Sequence, residues 1–183
     1  MIYTEITPNP ASLKFVTDQF LLKSGSADFA SVEQTEDAPI ARKLFENFRF
    51  VERVFISSNF ITITKTPDFQ WEEVIPVVKS FLRTYFLSEQ PALEGKYLAA
   101  PAAAAGDESE TVRKIKEILE TSVRPAVAGD GGDIIFETFE EGVLKLRLQG
   151  SCSGCPSSTI TLKQGIERLV TRMIPEVKTV EAV

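Results

Sequence analysis

The sequence predicts an α+β fold arranged as two small domains, and three observations carry the prediction. Short runs of β-branched and aromatic residues alternate with segments whose large apolar residues recur every three or four positions. Between Leu93 and Ser109 that patterning gives way to Ala99-Ala100-Pro101-Ala102-Ala103-Ala104-Ala105-Gly106, a composition suited to a flexible linker. Strand-like and helix-like segments occur on both sides of it, so each side can close a core of its own. The expected division is a first domain over 1–92, a linker over 93–109 and a second domain over 110–183.

The first domain reads as β-β-α-β-β-α. Strand-like segments run from Ser12 to Val16 and from Phe20 to Leu22, and a short helix from Pro39 to Phe45 follows Asp37, a suitable cap. Val51 to Ile56 and Phe60 to Thr64 form a predicted hairpin across Ser57-Ser58-Asn59. Val74, Val77, Val78, Phe81, Leu82 and Tyr85 recur at helical spacing, with Pro76 tolerable near the helix entry or as a kink. Phe55, Phe60, Phe69, Trp71, Phe81 and Phe86 are expected in this domain's core.

The second domain reads as α-β-β-α-β. Asp107 with Glu110 three positions later resembles a capping box, and Val112, Ile115, Ile118, Leu119 and Val123 mark a helical face expected to end before Pro125. Ala128-Gly129-Asp130-Gly131-Gly132-Asp133 reads as a turn. A phosphate-loop reading fails, because the Gly-Lys-Ser/Thr ending is missing and a strand follows, not a helix. Ile134 to Glu137 and Val143 to Leu148 are predicted strands, the second alternating Leu144, Leu146 and Leu148 with Lys145 and Arg147. Leu162, Ile166, Leu169, Val170 and Met173 stripe a helix ending near Pro175, and a last strand is expected from Val177 to Val183.

The 183 residues carry 20 basic and 26 acidic side chains, a net charge of −6. Residues 1–92 hold 9 basic against 12 acidic and the remainder 11 against 14, so each part is near −3. Neither part offers the basic surface that nucleic-acid binding exploits, and no nucleic-acid partner is expected. No run approaches the roughly 20 apolar residues that cross a bilayer, so no membrane partner is expected either. Met1 leads directly into Ile2-Tyr3-Thr4-Glu5 without a signal-like stretch, so the chain reads as cytosolic or, alternatively, as a mature organelle matrix protein.

The chemistry concentrates in Gly150-Ser151-Cys152-Ser153-Gly154-Cys155-Pro156. Its two cysteines are the only ones in the chain, which has no histidine. In a reducing compartment a CxxC is more often metal-binding or redox-active than a structural staple. A tetrahedral zinc site or an iron–sulfur cluster takes about four protein ligands, and one chain supplies two. The remainder has to come from carboxylates, a small thiol or a second copy of the chain. Pro156 suits the first position of a helix, so Cys155 would sit at its N-cap and Cys152 just before it, both expected to be exposed and biased toward thiolate by the helix terminus. Gly150 and Gly154 allow close backbone approach and positive φ, and Ser151, Ser153, Ser157 and Ser158 could donate to sulfur. A redox dithiol stays open on the residues alone, although the absence of a preceding Trp and of a βαβ context weighs against it. Asp130 and Asp133 read as turn formers, not metal ligands.

Val123-Arg124-Pro125, Gly129-Asp130-Gly131-Gly132-Asp133-Ile134, Leu146 to Gly150, Cys152-Ser153-Gly154-Cys155-Pro156-Ser157-Ser158 and Thr161-Leu162-Lys163 closely resemble the C-terminal domain of NifU, shared by the Nfu iron–sulfur scaffold and carrier proteins. Thr7-Pro8-Asn9-Pro10, Ser12-Leu13-Lys14-Phe15, Ala38-Pro39-Ile40-Ala41 and Phe60-Ile61-Thr62-Ile63-Thr64-Lys65 resemble the Nfu N-terminal domain. The resemblance implies that Cys152 and Cys155 from two subunits hold a [4Fe–4S] cluster, with [2Fe–2S] as the alternative. It implies a homodimer in the cluster-bound form that takes the cluster from a scaffold donor and passes it to apo iron–sulfur client proteins. It implies no catalytic residues and no enzyme activity. Partner recognition by the first domain would follow from the same likeness, the alternative being that the first domain stabilises the second. The rival function is a thiol–disulfide oxidoreductase using the same two cysteines.

Overall fold

The computed structural model describes residues 1–98, 109–153 and 156–183, the last with backbone alone at 156–159. They fall into two compact units, the first running to Leu98 and the second beginning at Ser109 among the described residues. The expected linker residues 99–108, Gly154 and Cys155 lie outside the described residues.

In the first unit, strands β1 (Ile2–Ile6), β2 (Ser12–Thr17) and β3 (Ser26–Phe29) precede helix α1 (Pro39–Asn47). Strands β4 (Val51–Ser57) and β5 (Phe60–Lys65) then lead into helix α2 (Trp71–Leu87). The five strands make one sheet in the order β1-β2-β5-β4-β3, every pairing antiparallel. Alternate residues of the strands build the core. Leu13 faces Ile63, Phe15 faces Ile61, Ile63 faces Val54 and Phe29 faces Val54 on its other side, so one face of the sheet is a continuous apolar row. Ile40, Ala41 and Leu44 of α1 and Val74, Val78, Leu82 and Tyr85 of α2 close over it. Their three- and four-residue spacing turns one stripe of each helix to the sheet. Phe55 and Phe60 are buried, and Phe69, Trp71, Phe81 and Phe86 pack at the margin of this core.

Four expectations for this unit need correction. Three strands precede α1, not two, and Phe20–Leu22 is not one of them; Leu21 and Leu22 instead donate their backbone N–H groups to Ser58 O of the β4–β5 turn. Edge strand β1 pairs residue for residue with β2 although its burial pattern is mixed. Asp37 does not cap α1: the cap position is Ala38, and the Asp37 carbonyl accepts from Glu94 N at 2.8 Å. Residues 93–98, assigned above to the linker, fold onto the first unit, where Leu93 is 2% exposed and Tyr97 makes an edge-on contact with Phe29.

The second unit contains helix α3 (Glu110–Ile118), a π-helical turn (Leu119–Val123), helix α4 (Arg124–Gly129), strands β6 (Gly132–Glu140) and β7 (Val143–Gly150), helix α5 (Pro156–Met173) and strand β8 (Thr179–Ala182). Strand β7 is central, antiparallel to β6 and parallel to β8. Leu144, Leu146 and Leu148 point into a core with Ile115, Ile118, Val123, Val127, Ile134, Ile166, Val170 and Val180. A bulge between Phe136 and Thr138 inserts one residue into β6, which turns Phe139 back toward the core beside Phe136. Glu167 of α5 ties down β8, its Oε2 accepting from Val180 N at 2.8 Å and from Thr179 Oγ1 at 3.0 Å.

Here too the structure departs from the reading in three places. Ser109 caps α3, its Oγ accepting from Val112 N at 3.3 Å, while Asp107 lies outside the described residues. Helical structure does not stop before Pro125: α3, the π-helical turn and α4 run on without a break, and the Arg124 N–H donates to Leu119 O in the π-helical pattern immediately before the proline. The turn narrows to Asp130-Gly131, with Ala128 and Gly129 in α4 and Gly132 and Asp133 already in β6.

Candidate functional site

Strand β7 ends at Gly150, whose φ of +67° is a left-handed value that glycine adopts without a Cβ penalty. The chain then folds back in a tight turn: Ser153 N and Ser153 Oγ both donate to Gly150 O, at 3.1 and 3.0 Å. This turn carries Cys152 and is fastened to the α4–β6 connection. Ser151 N donates to Gly131 O at 3.2 Å, and Ser151 Oγ donates to Asp130 O. Gly132 makes the close approach possible, since a Cβ on it would lie 2.7 Å from Cys152 Sγ and 2.6 Å from Gln149 O.

A second tie holds the connection itself. Asp133, 3% exposed, receives a two-pronged contact from Arg124, Nε to Oδ1 at 2.7 Å and Nη2 to Oδ2 at 3.2 Å, and Oδ1 also accepts from Ile134 N at 2.8 Å. Arg124 Nη1 reaches Glu120 as well. The fork geometry of a guanidinium fits a carboxylate on two bonds, so the first turn of α4 is pinned to the start of β6. Asp133 is therefore a brace beneath the cysteine turn and not a turn former.

Cys152 does not sit as expected. It is 4% exposed and belongs to the second unit's hydrophobic cluster. Burial pushes its thiol up to about 11; a hydrogen bond with Ser151 opposes the rise, and the negative charges of Asp130 and Asp133 add to it. The expected bias toward thiolate is overturned for this residue in this conformation. Cys152 lies four positions before Pro156, in a turn that folds back on Gly131, where it is desolvated. Helix α5 does begin at Pro156. Cys155, expected at its N-cap, lies outside the described residues, as do the side chains of Ser157 and Ser158. Among the described residues no group of three or more His, Cys, Asp or Glu side chains gathers to hold a metal, and no helix is long and apolar enough to cross a membrane.

Gly132, Asp133 and Arg124 were not picked out by sequence reasoning as parts of the site. Their presence in the stretches that resemble NifU was the available signal.

Fold and site together define a two-unit protein whose second unit presents a cysteine turn braced by a glycine-rich connection. Comparison with known proteins gives both units a family. The family described as "Scaffold protein Nfu/NifU N terminal" matches residues 2–89, and the one described as "NifU-like domain" matches residues 115–181. The NifU-like protein 4, mitochondrial, of Arabidopsis thaliana is 44% identical over 98% of this chain and 65% of its own length. The NFU1 iron-sulfur cluster scaffold homolog, mitochondrial, of Drosophila willistoni is 43% identical over 100% of this chain and 63% of its own. A solution NMR structure of a NifU-like protein from Saccharomyces cerevisiae covers 52% of this chain and 85% of that one, at 27% identity and a TM-score of 0.45. The chain belongs to the Nfu family. It spans a little under two thirds of the length of those two curated relatives.

Proposed function

We propose that the protein is an iron–sulfur cluster scaffold and carrier, not an enzyme: two copies hold one [4Fe–4S] cluster between them through Cys152 and Cys155 of each, and release it to apo-proteins. The observation that carries this reading is the ligand count, read within the family. A chain with two cysteines and no histidine can complete a four-thiolate set by pairing with itself. Relatives that align along the whole chain carry the name iron-sulfur cluster scaffold. With half of its coordination from each copy, the cluster is held where separation of the copies exposes it, which favours transfer by ligand exchange. The donor that supplies it and the clients that receive it are recognised by this exposed cargo and by the first unit. The relatives' names place them in mitochondria, and this chain fits either an organelle matrix or the bacterial cytoplasm, both reducing.

Anaerobic reconstitution with iron and sulfide, followed by iron and sulfide analysis and mass in solution, tests the reading. About two irons and two sulfides per chain in a two-chain species are expected for a bridging [4Fe–4S] cluster, and about one of each for [2Fe–2S]. Cys152→Ser and Cys155→Ser should each lose the visible absorption of the cluster and return the protein to single chains. Retention of a full cluster by either variant would sink the assignment. A chain that takes up no iron above background but cycles a disulfide between the two cysteines would be the thiol–disulfide oxidoreductase instead.

A further inference from the structure

Resting on the reading of Cys152 as a cluster ligand, we infer that Gly132 forms a notch in which the Cys152 thiol is stowed, and that Cys152 ligates only after its turn is released from the α4–β6 connection. Gly132, Ser151 and the Asp130 carbonyl then act as positioning groups that govern how readily the cluster is taken up and given up.

A cluster shared by two copies lies at the surface of each, yet Cys152 is 4% exposed and packs within the hydrophobic cluster of its own unit. Its sulfur lies 2.7 Å from where the Cβ of any residue but glycine at 132 would stand. Non-bonded heavy atoms approach no closer than roughly 3.5 Å without cost, so the bare Cα is what admits the thiol. No left-handed φ is required at Gly132, unlike Gly131 (φ +79°) and Gly150 (φ +67°), so its role here is space and not backbone freedom.

Two of the ties that hold the turn run from Ser151 to the neighbouring connection. Ser151 donates from its backbone N to Gly131 O and from its hydroxyl to Asp130 O, and both acceptors are backbone carbonyls of the connection that leads into Gly132. The two left-handed glycines flank this contact, one on each side of the turn-to-turn junction. Releasing Ser151 would free the turn to rotate about Gly150, a move that withdraws Cys152 from the cluster it shares with Leu144, Leu146 and Leu148. The brace from Arg124 to Asp133 keeps the connection in place while the turn moves.

The test reads thiol accessibility without any metal. In a Cys155→Ser background, labelling of Cys152 by a neutral maleimide is timed in the folded protein and in urea, with circular dichroism as a check on folding. Modification of a stowed thiol waits on local opening, so folded-state labelling should be slower than unfolded-state labelling by about tenfold or more. Gly132→Ala should expel the sulfur and raise the folded-state rate several-fold. Because its Cβ also meets Gln149 O, Ser151→Ala is the second variant: it removes the hydroxyl tie, adds no bulk, and should raise the rate in the same direction. Parent protein that labels as fast folded as unfolded, or a folded variant that labels no faster than the parent, would overturn the inference. Failure of iron reconstitution in the unmodified chain would remove the proposed function while leaving the labelling result standing, so the two failures are distinct.

Discussion

Arg124 joins three pieces of chain: Glu120 one turn behind it, its own helix start, and the buried carboxylate of Asp133 across the turn. The contacts differ in weight. The Glu120 pair is solvent-exposed on the acid's side and worth about 0.3–0.5 kcal/mol, whereas the Asp133 carboxylate is buried and loses two charge-assisted bonds if the guanidinium goes. Arg124→Ala should therefore destabilise the second unit by about 1–3 kcal/mol, Arg124→Lys by less, and Glu120→Ala hardly at all. Urea titration followed by circular dichroism measures the difference; equal losses for Arg124→Ala and Glu120→Ala would refute the ranking. In the sequence Asp133 reads as a turn residue because Asp beside glycines is commonly one, and the pairing with Arg124 nine positions back has no local signature. Cys152 was legible as a candidate ligand from its rarity, but its burial was not, because whether a loop residue faces in or out depends on contacts with Gly132 that arise only once β6 and β7 pair. Tyr85 adds a pH-dependent case. Its hydroxyl donates to Pro91 O at 2.8 Å, and burial, with the charge of Glu94 second, pushes the phenol up to about 12 from an ordinary 10.0. The folded state thus holds the proton more tightly than the unfolded chain. That contribution is intact below pH 10 and is lost as pH rises through about 12. Tyr85→Phe should lower stability at neutral pH by about 1 kcal/mol, from the lost bond, yet flatten the alkaline fall between pH 10 and 12. Trp71, the only tryptophan and a residue of the first unit, gives the fluorescence readout; an unchanged alkaline slope would refute the assignment to Tyr85.

At the level of elements, long periodic segments were read well and short edges were not. Helix α2 and strand β7 were legible because their apolar positions follow one period with little ambiguity, and β4 and β5 because β-branched runs flank a polar turn. Strand β1, an edge with mixed burial, lacks that regularity, and β3, at the other edge, alternates but is only four residues long; partners across the sheet decide both. The segment after α2 shows the same limit. Glu94-Gly95-Lys96 looked like the beginning of a linker, yet the backbone there is anchored by Glu94 N to Asp37 O, and Leu93 fills a place in the first core. A single buried leucine amid polar residues carries no period, so only the packing reveals it. Leu93→Ala should cost the first unit about 2–4 kcal/mol if the segment belongs to that core, measured as a lowered urea midpoint of Trp71 fluorescence. A true linker position would lose under about 0.5 kcal/mol, the size expected of a surface substitution.

Across the whole molecule, each unit has its own buried cluster, one built on a five-stranded sheet and the other on a three-stranded sheet, and the two clusters share no residue. Only the second carries the described cysteine. A ligand that binds native protein and not unfolded chain stabilises by an amount that grows with its occupancy, and the gain goes to the part that must be folded to bind. If two copies hold one cluster, a second copy is part of the ligand set, and occupancy depends on chain concentration. Thermal unfolding of the loaded protein, followed at once by Trp71 fluorescence and by the visible absorption of the cluster, separates the possibilities. Raising the chain concentration about tenfold should shift the loss of cluster absorption to higher temperature, because mass action favours the two-chain species, and leave the Trp71 transition where it was. A cluster held within one chain predicts that neither transition moves. A dimer made through the first unit predicts that the Trp71 transition moves too, and either of those results would exclude a bridge carried by the second unit alone.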